Sequence, residues 1–352
     1  MKLLNILFTL FGVVTLIFFL FQILPGDPAR MMMDQNEDVK QLEIIKKKYG
    51  FNEPIFKQYL YYLNDLSIIS IHSKNPEKIN FLNENKYSYT KILNFKNSTL
   101  VLKFPYLRES YQRRGVKVST IILNTFPNTV ILAISSILFA TIFGLFLGII
   151  SALYKGTFFD NSIQLFSTFG MSMPSFFSSI IFAWIFGFVL ADFTGLNMTG
   201  SLFELDDYGE VEELKLKNLI LPAFVLGIRP LSVIIQLMRT SLINVLNQEY
   251  IRTAKAKGLS MYRIIYSHSL KNSLNPVITV LSGWFASLLA GSVFVEYIFG
   301  WNGLGKEIIF ALNHMDIPVI MGSTFIIAFI FIIINILVDI THLYLDPRIK
   351  YY

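Results

Sequence analysis

Residues 299–307 read FGWNGLGKE, and from Gly300 to Lys306 they satisfy G-x-x-x-x-G-K, the opening of a loop whose backbone amides cradle nucleotide phosphates. That chemistry also requires a hydroxyl after the lysine, to reach Mg²⁺, with a strand before the loop and a helix behind it. Glu307 stands at the hydroxyl position, where a carboxylate would repel a phosphate. Histidine chemistry is no better served. His72, His268, His314 and His342 lie on separate segments with no His-x-x-x-His or Glu-x-x-His spacing, and no G-x-S-x-G elbow offers a serine nucleophile. The absence of cysteine excludes thiolate metal sites, cysteine nucleophiles and a disulfide scaffold. The sequence thus predicts no catalytic residue, no metal site and no cofactor bound by this chain.

The elements that would have to position any site are apolar. Of 352 residues, 53% are hydrophobic and 15% charged, with a mean hydropathy of +0.53; soluble domains carry roughly 25% charge. A membrane span needs about 20 mainly apolar residues. Six stretches qualify: 3–24, 126–154, 162–191, 219–238, 276–295 and 317–338. The first is too long for a typical signal peptide and lacks an A-x-A-like cleavage site, so it is expected to stay as a span.

Orientation follows from the loops. The segment between the fourth and fifth spans holds Arg239, Arg252, Lys255, Lys257, Arg263 and Lys271 against Glu249 alone. The preceding loop reverses this, with Asp192, Glu204, Asp206, Asp207, Glu210, Glu212 and Glu213 against Lys215 and Lys217. Short basic loops stay in the cytoplasm, so both termini are predicted cytoplasmic. The same asymmetry accounts for a pI near 9.2 without nucleic acid. It also places FGWNGLGKE on the outward face behind a membrane helix, where it reads as a tight interfacial turn with Trp301 at headgroup depth.

The expected organisation is an N-terminal span (1–27), an extracytoplasmic segment (28–120), a five-helix core (121–345) and a cytoplasmic tail (346–352). In the extracytoplasmic segment, DVKQLEIIKKKYGFNEPIFKQYLYYLNDL has helical periodicity broken at Gly50 and Pro54. Residues 70–114 show no clear period and read as an insertion of uncertain order. Within the core, Gly144 and Gly148 form a small-xxx-small pair suited to close helix packing. GMSMPSFFSS puts Pro174 amid Met171, Ser172, Ser175, Ser178 and Ser179. This suits either a polar pathway lining or interhelical hydrogen bonding. Arg229, beside Pro230, is a cation within a span; it either faces a water-filled pathway or snorkels.

The most informative stretch is 239–275. Ser241 to Lys257 reads as one helix ending at a left-handed Gly258, and Ser260 to Asn272 as a second. Two short helices projecting into the cytoplasm have the form of a docking element, although basic residues alone would make only a retention signal.

Here the chain resembles the inner-membrane permeases of binding-protein-dependent ABC importers, in particular the dipeptide, oligopeptide and nickel permease family. EYIRTAKAKGLS with HSLKNSLNPVITVL matches the family's EAA loop, placing Glu249, Ala254 and Gly258 at its acid, alanine and glycine positions. ILPGDPA, KKYGFNEPIFKQYL, EYIFGWNGLGKEI and the later Asp316–Pro318 match as well. Two departures are the insertion, which replaces a Gly-Asp-Leu-Gly-type stretch, and Thr253 before Ala254.

The resemblance implies an all-α integral membrane protein, a type I ABC importer transmembrane domain of six helices with an extracytoplasmic insertion between the first two. It further implies a second homologous permease, two cytoplasmic ATPase subunits holding ATP and Mg²⁺, and an extracytoplasmic binding protein. Glu249, Tyr250, Ala254, Lys257 and Gly258 would lie at or beside the ATPase contact, and transport would proceed by alternating access. Met171, Ser172, Pro174 and Arg229 are the candidate pathway residues. Peptides are the expected cargo, with nickel or another metal chelate as the alternative. An ion-coupled secondary transporter would need an inverted repeat and more intramembrane charge.

Overall fold

The computed structural model describes residues 2–23, 27–33, 39–76, 78–84, 86–206 and 208–345. Part of the ILPGDPA motif and the 346–352 tail lie outside the described residues. The chain divides into two compact units, Met1–Asn124 with Glu307–Ala328, and Thr125–Lys306 with Phe329–Tyr352.

The first unit opens with α1 (Lys2–Ile23), α2 (Pro28–Met31), α3 (Val39–Tyr49) and α4 (Ile55–Leu66). Gly50, at φ +76°, ends α3, and Pro54 immediately precedes α4, where the periodicity predicts the breaks. One face of α4 covers α1: Phe18 stacks on Tyr62 at 5.7 Å, and the Thr15 and Tyr59 hydroxyls are 2.6 Å apart.

The stretch from 70 onward is ordered as an antiparallel sheet of β1 (Ile69–Ser73), β2 (Tyr89–Asn94) and β3 (Ser98–Lys103), with β3 central. Its alternation is inverted, which hides it from a hydrophobic-period search. Ser70, His72, Thr99 and Lys103 are buried, while Ile69, Ile71 and Leu102 are exposed. Helix α5 (Val118–Leu153) leaves this unit and enters the second.

The second unit continues with α6 (Phe158–Ser172), α7 (Ser175–Trp184, prolonged by a π-helical turn at Ile185–Val189) and α8 (Ala191–Thr194). A hairpin of β4 (Phe203–Leu205) and β5 (Glu212–Leu214) leads to α9 (Lys217–Leu246). Then come α10 (Glu249–Ala256), α11 (Met261–Arg263), a π-helical stretch at Ile264–Ser269, α12 (Leu270–Ser273), α13 (Asn275–Gly291) and α14 (Val293–Phe299). Helices α15 (Leu304–Asn313) and α16 (Ile317–Leu345) complete the chain.

Helices α5, α9 and the Ile317–Val338 part of α16 are long and apolar enough to cross a membrane. Two bent pairs, 158–172 with 175–189 and 261–273 with 275–291, bring the number among the described residues to as many as five if each is one span. The apolar stretch of α1, Phe8–Gln22, is shorter than a span on this measure.

Helix α9 is the axis of the second unit. Both Pro222 and Pro230 lie inside one continuous helix, buried among its neighbours. Packing on both sides holds a helix that proline alone would weaken. Glycines permit the close approach. A Cβ on Gly144 would meet Ile234 Cγ2 at 2.7 Å, one on Gly148 would meet Met238 Cβ at 2.8 Å, and one on Gly170 would strike the Ser232 hydroxyl.

Candidate functional site

Helix α10 carries the expected docking residues, but it is shorter than the sequence suggests. The predicted Ser241–Lys257 helix breaks at Asn247 and Gln248, where Gln248 adopts an extended conformation and starts α10. The end matches expectation. Gly258 has φ +78°, its amide donates to the Lys255 carbonyl at 2.9 Å, and the Leu259 amide reaches back to Ala254 at 3.3 Å. This paired closure is a Schellman motif, which needs a left-handed residue at the Gly258 position.

The two faces of α10 differ. Ile251 and Ala254 pack with Ile264, supported by Leu246 and Leu259. Ala254 therefore points into the chain's own hairpin, and its small side chain sets the spacing of α10 from the π-helical stretch. Glu249, Tyr250, Lys257 and Gly258 are exposed. Glu249 pairs with Arg252 at 3.0 Å in the open, a contact worth little in water. The Tyr250 hydroxyl accepts a hydrogen bond from Asn272 at 2.9 Å, tying the outer face to the returning arm.

Sequence reasoning missed the anchor behind this hairpin. Arg239, near the end of α9, binds Asp160 of α6 through two parallel bonds of 2.7 Å. Asp160 also accepts from the Ser151 hydroxyl and from the Gly156 amide at 2.8 Å, which leaves it 1% exposed. The available signal was a single acid in a short linker between apolar runs.

The four candidate pathway residues all lie at exposed positions. Pro174 breaks the span between α6 and α7 by 111°, far beyond an ordinary proline kink. Met171, Ser172 and Pro174 are exposed at this corner, and the Ser172 hydroxyl donates to Thr168 at 2.9 Å within its own helix. Ser178 and Ser179 are buried and bond likewise to the preceding turn, so these serines do not bridge helices. Arg229 is exposed on α9.

The FGWNGLGKE loop is filled from within. Glu296 of α14, fully buried, accepts from the Ser292 hydroxyl at 2.8 Å and from the Gly305 amide at 2.7 Å. Gly303 and Gly305 are required because a Cβ on either would collide with that carboxylate. Trp301 is not an interfacial anchor: it is completely buried, with Nε1 donating to the Asn128 carbonyl at 3.0 Å. Thr129 accepts from the Leu304 amide at 2.8 Å. The amides that a phosphate loop turns outward here serve an internal carboxylate.

The family described as binding-protein-dependent transport system inner membrane component matches residues 144–351, and its N-terminal companion matches residues 1–77. The chain belongs to this permease family. The permease is 32% identical to the di/tripeptide transport system permease protein DppB of Pseudomonas aeruginosa, over 97% of this chain and 95% of that relative. It is 31% identical to the oligopeptide transport system permease protein AppB of Bacillus subtilis, over 97% and 95% respectively. Among solved structures, the inward-facing MetNI methionine ABC transporter matches with a TM-score of 0.50 at 13% identity, covering 65% of this chain and 97% of that one. At that identity the likeness speaks for the fold, a type I ABC importer transmembrane domain in which the largely helical core accommodates small sheets in the connecting segments. The permease is thus a membrane component of a binding-protein-dependent transport system.

Proposed function

We propose that the permease carries small peptides across the cytoplasmic membrane as one half of a translocation pore, paired with a second homologous permease. Two cytoplasmic ATPase subunits, which hold the ATP and Mg²⁺, grip α10, and an extracytoplasmic binding protein delivers the cargo. Both termini face the cytoplasm, and the insertion-bearing segment faces outward, as the charge of the loops favours. ATP binding favours one of two arrangements of the spans, and the hairpin of α10 transmits that preference.

The observation that carries this reading is the division of labour on α10. Ile251 and Ala254 pin it to the permease, while Glu249, Tyr250 and Lys257 are exposed on the outer side. Relatives over nearly the full length are peptide permeases, which supports peptide as the cargo.

The test combines Tyr250→Ala with Lys257→Glu. The permease pair is co-expressed with its ATPase subunits, purified, and assayed in proteoliposomes for ATP-dependent uptake of labelled alanylalanine. The double variant should insert normally, lose most of its ATPase subunit and lose uptake. Undiminished co-purification would overturn the docking role, and ATP-dependent uptake of a nickel chelate without dipeptide uptake would overturn the cargo.

A further inference from the structure

The polar face of the β1–β3 sheet turns inward onto a charged cluster outside the membrane-spanning helices. Asp65 at the end of α4 is its centre. One carboxylate oxygen accepts from the Tyr87 hydroxyl at 2.9 Å and the other from Arg108 Nε at 2.9 Å, while Lys103 donates to the Asp65 backbone carbonyl. Arg108 also lies over the Tyr62 ring at 5.4 Å. Its backbone has φ +67°, a left-handed conformation that non-glycine residues rarely adopt and that is retained where surrounding structure enforces it.

Beside this cluster is a cavity of about 290 Å³, lined by Lys48, Lys86 and Arg108 and by the rings of Tyr49, Tyr106 and Tyr111. Two carboxylates, Asp65 and Glu109, also reach it, so cations outnumber acids on its wall. Asp65 is already committed to Arg108. Lys86 is different: its ammonium sits 5.3 Å from the centres of both Tyr87 and Tyr106, with no carboxylate at ion-pair distance among the described residues. An ammonium has three donors and no acceptor capacity, and a partly buried one without an anion is poorly satisfied. Burial first pushes Lys86 below its usual value, against the Asp65 and Glu109 carboxylates, which act the other way, and with Arg108 and Lys48 adding to it; burial also pushes Lys103 down to about 8.

We propose that this cavity is a binding site for the free carboxylate of a small solute, with Lys86 donating to the carboxylate and Tyr49, Tyr106 and Tyr111 enclosing the apolar body. A charge-assisted bond from a half-desolvated ammonium is stronger than the same bond in water. The size matches an amino-acid derivative, near the lower limit of ligand pockets. Neither a phosphate nor a metal cation suits the walls as well: a divalent anion exceeds the surplus charge, and a cation would meet Lys86 and Arg108.

The test uses the full-length permease in lipid nanodiscs and two probes that differ only at the acid, N-acetylalanine and N-acetylalaninamide. Saturation-transfer NMR at about 10 mM reads weak binding in the range expected for so small a ligand. The acid should bind at least about tenfold more tightly than the amide, and Lys86→Met should abolish the difference. A second measurement needs no substitution. Lys86, labelled by an amine-reactive reagent and followed by mass spectrometry, should be protected by the acid and not by the amide. Equal binding of the two probes, binding unchanged in Lys86→Met, or no protection of Lys86 would each overturn the proposal.

Discussion

Oε2 of Glu296 accepts the backbone amide of Gly305 at 2.7 Å, so the start of α15 is capped by a carboxylate from α14, nine residues earlier in the chain. A helix N-terminus favours an anion through its unpaired amides and its dipole. In a nucleotide-binding loop the anion is a phosphate; here it is part of the protein. Gly305 of the G-x-x-x-x-G-K pattern, with Gly303 inside it, is accordingly spent on making room for Glu296, while Gly300 takes the left-handed turn at φ +68°.

Replacing Glu296 with alanine should leave the Gly305 amide and the Ser292 hydroxyl buried without partners. Each such group costs about 1–3 kcal/mol, so a combined loss of roughly 3 kcal/mol is expected. Glu296→Gln, which keeps the shape and an acceptor oxygen, should lose less. Thermal unfolding of the detergent-solubilised permease would show it, and an alanine variant that melts with the wild type would remove Glu296 from its capping role.

How much of this was legible in the sequence depends on what each residue's neighbours are. Gly50, Pro54 and Gly258 announce chain breaks through their own backbone chemistry, and each stands where the structure needs it. The apolar runs announce membrane helices by composition. What could not be read are features made by distant partners. The sheet at 69–103 buries Ser70, His72 and Lys103 around Asp65, which reverses the usual apolar-inside pattern. The inward position of Ala254 is fixed by Ile264 across a turn, and the burial of Trp301 by Asn128, which lies 173 residues away. The candidate pathway residues are exposed positions at the corner around Pro174 and on α9.

Asp160 and Arg239 should behave as a coupled pair. Removing either partner leaves a charge in a site from which water is largely excluded, at a cost of about 3–5 kcal/mol. Asp160→Asn and Arg239→Met should each lower the unfolding temperature of the permease, and the double substitution should cost clearly less than the sum. Additive losses in that cycle would mean that the two side chains contribute through separate contacts.

The insertion should be sensitive to acid through His72. This side chain is completely buried, with Nδ1 facing the Asn80 carbonyl at 3.2 Å and Nε2 facing the Ser70 hydroxyl at 3.0 Å, an arrangement met by the neutral ring with its proton on Nδ1. Burial, and secondarily the Lys103 cation, push its pKa below the ordinary histidine value. The unfolded segment therefore takes up a proton as pH falls through about 6.5, before the folded one does, and the stability that His72 contributes above that pH is lost below it. Amide exchange of β1 and β3, corrected for intrinsic rates, should speed up between about pH 7.5 and about pH 5.5, and His72→Gln should flatten the change. Equal protection at both values in the wild type would contradict the assignment of a neutral buried ring.

Gly258 offers the sharpest separation between backbone strain and steric contact. Its φ of +78° is unfavourable for most residues, but nothing among the described residues lies within 4 Å of where a Cβ would stand. Gly258→Ala should therefore loosen the end of α10 by about 1–2 kcal/mol through conformation alone. Gly258→Asn, whose side chain tolerates the left-handed region, should cost less than Gly258→Ala. Gly258→Asp has a similar backbone tolerance but adds a charge to the face proposed to meet the ATPase. All three should insert in the membrane at normal levels. If co-purifying ATPase falls with Asp and is retained with Asn, the added charge at the contact is what breaks docking. A parallel loss with Ala and Asp but not Asn would trace the defect to the helix end. Retention in all three would show that the outer surface around Gly258 is not part of the docking face.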